Sequence, residues 1–293
     1  MKARNRGFVY INGQLLPVSK ARISPLDYGY LYGYAVFETM RAYGGSIFRL
    51  ENHVDRLMRS AEEIGIKSPD AQDLANAVRN TLRKNNHSDA YARLTLSAGE
   101  GTVGLNPSSC TKPVTSVHTK EFKGYPSKKY LTGFAAVTTS ITTNPASMTS
   151  NLKSSSFLDR LIVRTEATKA GVDEAIMMTP DGRIAEGSVS NIFIVFENEL
   201  RTPNLETGIL SGVTRNVVLE LAEKLGVTVR ECGFTLKELY SADEAFITNS
   251  LIEVMPLTKV NGTTISSGST GKTTRMFMDA YSSLVRFETS RHS

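Results

Sequence analysis

Apolar residues recur along this chain with two different periods, and each change of period marks an element. Residues 8–17 alternate on either side of Asn12-Gly13, which reads as strand, two-residue turn, strand. A second hairpin joins 36–43 to 46–50 around Gly44-Gly45. The period then lengthens: Val54, Leu57, Met58, Ala61 and Ile64 fall on one face of a helix over 51–65, with Gly65 as its stop. Leu74, Ala77, Val78, Thr81 and Leu82 repeat that pattern over 71–84, and alternation returns over 91–98 before a glycine-bearing loop at 99–106.

Residues 120–129, with Gly124, Pro126 and four lysines, break both patterns and read as a linker. Beyond them the chain predicts a strand at 134–141 and a helix at 154–170 stopped by Gly171. Strands follow at 174–179 and 189–196, the turn Pro180-Asp181-Gly182 preceding the second. A helix over 213–225 ends at Gly226, and strands lie near 227–231, 244–248 and 254–260. The fold class is α+β in two domains: a small N-terminal domain over 1–119, the linker 120–129, and a larger domain over 130–293.

Composition narrows the functional classes. Of 293 residues, 40% are hydrophobic and 22% charged, an ordinary globular balance. The net charge of +5 is spread without a run of five basic residues, so nucleic acid is not an expected partner and small anions are better suited. Cys110 and Cys232 lie far apart with no histidine at ligand spacing, and the four histidines (His53, His87, His118, His292) do not cluster; no metal is expected. The first apolar stretch, Phe8-Val9-Tyr10-Ile11, is too short for a signal peptide, and none is long enough to span a bilayer. A soluble, cytoplasmic protein with no membrane partner is expected.

The chain has no P-loop and no nucleophile elbow with a histidine partner. Gly99-Glu100-Gly101-Thr102-Val103-Gly104 leads into Asn106-Pro107 and not into a helix, which argues against a dinucleotide fingerprint. More is carried by seven separate segments in one order. They are Asp27-Tyr28-Gly29-Tyr30-Leu31-Tyr32-Gly33, Val36-Phe37-Glu38-Thr39-Met40-Arg41, Arg49-Leu50-Glu51-Asn52-His53-Val54-Asp55-Arg56-Leu57 and Leu152-Lys153-Ser154. Ala185-Glu186-Gly187-Ser188-Val189-Ser190-Asn191-Ile192-Phe193, Gly212-Val213-Thr214-Arg215 and Thr248-Asn249-Ser250-Leu251-Ile252-Glu253-Val254-Met255-Pro256 complete the series. In this order and spacing the chain resembles the class IV aminotransferases, pyridoxal 5'-phosphate enzymes with the D-amino acid aminotransferase-like fold.

The resemblance implies roles that the residues alone leave open. Lys153, otherwise a solvated lysine, resembles the one that holds the cofactor covalently; such an amine must be desolvated or near positive charge to act as nucleophile and base. Glu186, otherwise a surface or capping acid, resembles the carboxylate that keeps the cofactor's ring nitrogen protonated. Arg56, Val213, Thr214 and Ser250 match phosphate-binding positions, the second and third at a helix N-terminus. Tyr32, Phe37, Arg93, Asn249 and Leu251 match substrate-binding positions. Many relatives carry Asn followed by Tyr or Arg three and four residues after the lysine, where this chain has Ser156-Phe157. Relatives are homodimers with sites between their domains, so a homodimer acting on a small molecule is implied.

Two activities divide these segments. Thr39 stands where branched-chain aminotransferases usually have glycine, and Asn249 to Pro256 resembles the lyase form. A 4-amino-4-deoxychorismate lyase is therefore the favoured reading, with Lys153 as base and Thr39 as the catalytic proton donor when pyruvate leaves and 4-aminobenzoate forms. Tyr91-Ala92-Arg93 and Gly104-Leu105-Asn106-Pro107 look instead like branched-chain enzymes, and a branched-chain or D-amino acid aminotransferase is the alternative. A binding protein of this fold without catalysis would show neither reaction.

Overall fold

Asn12 and Gly13 both take positive φ, 42° and 90°, and close the first hairpin between β1 (Phe8–Ile11) and β2 (Gln14–Pro17). A computed structural model describes residues 7–290; the basic residues 1–6 and His292 lie outside that range. The described chain divides into two units. The first takes in residues up to Lys123, the segment Leu152–Phe157 and the chain from Val285 on. The second takes in Gly124–Asn151 and Leu158–Leu284.

In the first unit, α1 (Tyr28–Tyr32) is followed by β3 (Ala35–Tyr43), β4 (Ser46–Ile47), α2 (Leu50–Glu63) and α3 (Ala71–Lys84). Then come β5 (Ala90–Ser97) and β6 (Val114–Glu121). The strands form one sheet in the order β2-β1-β6-β5-β3-β4, every pair antiparallel. One face of it is core. Val36, Met40 and Ala42 of β3 and Ala92, Leu94 and Leu96 of β5 pack with Val54, Leu57 and Ala61 of α2 and Leu74 and Val78 of α3. Each such Leu or Val contributes roughly 1.5–3 kcal/mol by leaving water. The alternate residues, including Phe37, Thr39, Arg93 and Thr95, lie on the opposite face. Strand β6 carries no clean alternation in sequence because two of its buried positions are Thr115 and Thr119.

The second unit begins at Gly124 and its first element is α4 (Ser127–Thr132); the expected linker 120–129 is shorter, since residues 120–121 belong to β6 and 127–129 to α4. Its elements continue as β7 (Phe134–Thr142), α5 (Leu158–Lys169), β8 (Glu174–Met178), β9 (Ile184–Gly187), β10 (Asn191–Phe196) and β11 (Glu199–Thr202). They end with α6 (Val213–Leu225), β12 (Val229–Glu231), α7 (Leu236–Tyr240), β13 (Glu244–Asn249), β14 (Glu253–Val260), β15 (Thr263–Thr264) and α8 (Lys272–Thr289). The sheet runs β12-β11-β10-β13-β14-β7-β8-β9, with β15 added to β14. It is mixed: β7 is parallel to β14 and β8, and β11 to β12. Asn191 to Val195 of β10 are all buried, which is why that strand reads as an unbroken apolar run.

Two expectations shift. The helix expected from 154 starts at Leu158, because Lys153 to Ser155 are extended and bonded to β3. Helix α8 was not expected, although Phe277, Tyr281 and Val285 recur every fourth residue and are buried. Among the described residues no helix is long and apolar enough to cross a membrane.

Candidate active site

Each unit carries its own share of the candidate residues. In the first, segment 153–155 runs beside the start of β3. Phe37 N–H donates to the Lys153 carbonyl (2.9 Å) and Ser155 N–H to that of Ala35 (2.7 Å), with Val36 and Ser154 bridged. Gly33 permits the approach, since a Cβ there would lie 2.6 Å from Ser156 Oγ and its φ is 70°. The backbone of Lys153 is thereby fixed, and Nζ stands 4.7 Å from the centroid of the Phe37 ring and 5.9 Å from that of Phe157. The two rings meet edge to face at 5.4 Å.

On the same sheet face, the Arg93 guanidinium lies 3.6 Å from the Phe37 centroid and its Nε donates to Thr95 Oγ1 (3.2 Å). Thr39 is directly opposite Arg93 in register, and His118 is its partner on the other side. Burial, followed by the charges of Arg93 and Lys120, pushes the His118 pKa down, so the imidazole stays neutral beside the guanidinium. Tyr32 is half exposed on α1, its ring edge-on to Tyr28 at 4.9 Å.

Arg56 faces the core side of β3, not the surface. Its Nε and Nη2 donate to the two oxygens of Glu38, each at 2.6 Å, and His53 Nδ1 lies 2.7 Å from Glu38 Oε2. Glu38 is fully buried. Burial alone would raise its pKa, but Arg56 and His53 outweigh that and hold it at about 2. The His53 pKa is lowered, chiefly by burial, so a neutral imidazole donates from Nδ1 to the carboxylate.

In the second unit, Glu186 lies on β9 with 2% of its surface exposed. Oε1 accepts from Arg160 Nη2, and Oε2 accepts from Leu210 N–H (3.1 Å) and Asn191 Nδ2 (3.4 Å). The turn 188–190 beside it is organised by buried Glu174, which accepts from both Ser188 Oγ and Ser190 Oγ. Helix α6 opens at Val213 behind Gly212, with no side chain capping its first N–H groups; Val213 and Thr214 are buried there. Thr248, opposite Asn191 on β13, buries its hydroxyl without a partner, and Ser250 and Leu251 follow, half-buried.

Asn249 differs from the expected substrate contact. Its Oδ1 accepts from Leu251 and Ile252 N–H (2.8 and 2.9 Å) and its Nδ2 donates to the Val189 carbonyl (3.1 Å), so its amide shapes the turn after β13. Arg160, Glu174 and Asn191 were not among the expected site residues. Their partners are distant in sequence, and only Asn191 lies in a segment that pointed to the site.

The class IV amino-transferase family model matches residues 35–260. A branched-chain-amino-acid aminotransferase of Pseudomonas aeruginosa is 35% identical over 98% of this chain and 95% of its own. An aminodeoxychorismate lyase of Bacillus subtilis is 34% identical over 89% of each chain. Among solved structures, the branched-chain amino acid aminotransferase of Thermobaculum terrenum in its PLP form aligns at a TM-score of 0.85 and 27% identity, covering 96% of this chain and 94% of that one. Fold, segments and buried groups converge, and the chain belongs to the class IV aminotransferase family.

Proposed function

We propose that this enzyme transfers an amino group between an amino acid with an apolar side chain and a 2-oxo acid. The observation that carries this is the Phe37 ring, against which both the Lys153 amine and the Arg93 guanidinium lie. An amino acid needs a base at Cα, a cation for its carboxylate and an apolar surface for its side chain, and these residues supply all three. The aminotransferase relatives support this reading over the lyase suggested by Thr39.

As a member of this family the enzyme uses pyridoxal phosphate. The residues fit it: a lysine with a fixed backbone, a buried carboxylate with acceptor capacity left, and an uncapped helix start followed by the buried hydroxyl of Thr248 further along the chain. When bound, the cofactor supplies the carbon that accepts the amino group and a ring that stores the electron pair. Lys153 Nζ holds it, removes the proton from the substrate's Cα and later returns a proton, while Phe37 and Phe157 shield that amine from water. Glu186 holds the ring nitrogen. Arg56, the N–H groups of Val213 and Thr214, and Ser250 bind the phosphate. Arg93 orients the carboxylate, with Tyr32 and Leu251 as further contacts. A homodimer and a cytoplasmic setting accompany this reading, on family likeness and two free cysteines.

A lyase reading retains one observation, the Thr39 side chain directly across from Arg93. One experiment separates the two. Purified enzyme is given L-leucine or D-alanine with 2-oxoglutarate and, in parallel, 4-amino-4-deoxychorismate. Formation of glutamate and the matching oxo acid is expected. Release of pyruvate and 4-aminobenzoate without amino transfer would overturn the proposal, and Thr39→Val should then lower that release about 10²–10⁴-fold.

A further inference from the structure

We propose that Arg160 is a positioning residue for Glu186, holding its carboxylate so that a proton shared with the cofactor's ring nitrogen rests on the nitrogen. This rests on the reading above that Glu186 meets the ring nitrogen. Arg160, in the first turn of α5, brings a cation to the Glu186 carboxylate.

The guanidinium is well anchored. Besides Glu186 Oε1, it donates through Nη1 to the Ser188 carbonyl (3.1 Å) and, at longer range, to that of Gly187 (3.4 Å). It thus holds the Glu186 carboxylate together with the two carbonyls that follow it at the end of β9. Its side chain is 19% exposed and that of Glu186 2%, so water screens the pair little. Burial opposes the charge on Arg160, but the attraction of Glu186 prevails and raises its pKa, with Glu174 and Asp159 adding to it.

Glu186 has two oxygens with about four acceptor positions, and Arg160, Leu210 and Asn191 fill three of them. One position remains for a single N–H donor. When a carboxylate and a pyridine nitrogen share a proton, the more basic atom keeps it. A nearby positive charge lowers the basicity of both, and by more for the closer one. Arg160 is bonded directly to the carboxylate, so its charge favours the arrangement in which the oxygens remain acceptors and the nitrogen keeps the proton. The proton is driven to the ring.

The test loads the full-length enzyme with pyridoxal phosphate labelled with ¹⁵N in the ring and reads the nitrogen chemical shift. Wild type should show a protonated ring nitrogen. Arg160→Gln, which keeps hydrogen-bonding capacity without charge, and Arg160→Met should both move the shift toward neutral pyridine; Arg160→Lys should restore it. Two neutral variants guard against one that does not fold, with circular dichroism confirming the fold of each. A loaded neutral variant with the wild-type shift, or a wild type whose ring nitrogen is neutral, overturns the inference about Arg160. A wild type that takes up no labelled cofactor overturns the underlying reading instead.

Discussion

Arg56 illustrates what a single position can hide. On sequence it is either a surface arginine or a phosphate ligand; in the fold it is first a counter-ion for Glu38. Arg56→Ala would leave that carboxylate buried with its principal charge partner gone, and should destabilise the enzyme by about 3–5 kcal/mol in urea denaturation, beyond any loss of cofactor. An unchanged midpoint would show that Glu38 is satisfied without it. The cluster also sets the acid limb of stability. His53 has a folded pKa below its ordinary 6.5, so the unfolded chain takes up a proton there that the buried imidazole refuses, and stability falls as pH drops below 6.5. Glu38 has a folded pKa of about 2 against an ordinary 4.5, so its contribution, about 3 kcal/mol, is present above 4.5 and lost as pH falls toward 2. His53→Gln should lessen the fall of the urea midpoint between pH 7 and 5, to which His118 also contributes, and leave the steep loss below 4.5. Loss of stability between pH 7 and 5 as steep as in wild type would assign that titration to another group.

At the scale of elements, much was legible because pattern and local chemistry agreed. The helix at 71–84 and the helix at 213–225 run to their expected bounds, while Lys153 and Glu186 are singled out only by the family resemblance of their segments. Helix α5 was misjudged at its start because Lys153 to Ser155 take their conformation from backbone pairing with β3, a partner more than a hundred residues away. Arg160 escaped notice for the same reason, as its meaning lies in a contact 26 residues off. The start of α6 shows how closely elements are matched. A Cβ on Gly212 would lie 2.0 Å from Asn191 Oδ1, and Asn191 also holds the Leu210 carbonyl (2.8 Å). Gly212→Ala must displace Asn191 or move the helix start. Either way one charge-assisted bond to the phosphate should be lost, weakening cofactor binding about ten- to a hundred-fold by equilibrium dialysis. An unaltered affinity would mean that this helix end does not hold the cofactor.

For the whole molecule, the sequence reads as two successive domains, but the route of the chain through the two units is not legible in it. The first unit is assembled from three separate stretches, and the middle one supplies Lys153. Composition gives no sign of this, because residues 152–157 are short, polar and without period. The arrangement predicts how the first unit behaves by itself. Its apolar core, from Tyr28 to Val117, lies wholly before Lys123, so a fragment of residues 7–123 should still collapse and form its sheet. It would, however, lack the carbonyl of Lys153 and the N–H of Ser155, leaving the start of β3 as an open edge. Arg49 would also lose its ion pair with Glu288. Open edges recruit other strands, so the fragment should self-associate on size exclusion, and its Phe37 amide should exchange much faster than in the full chain. Adding a peptide of residues 150–158 should slow that exchange if pairing with β3 is what protects the amide. A monomeric fragment whose Phe37 amide is already as slow as in the intact enzyme would show that β3 needs no such cover. The backbone bonds that fix Lys153 would then be a consequence of the fold and not one of its supports.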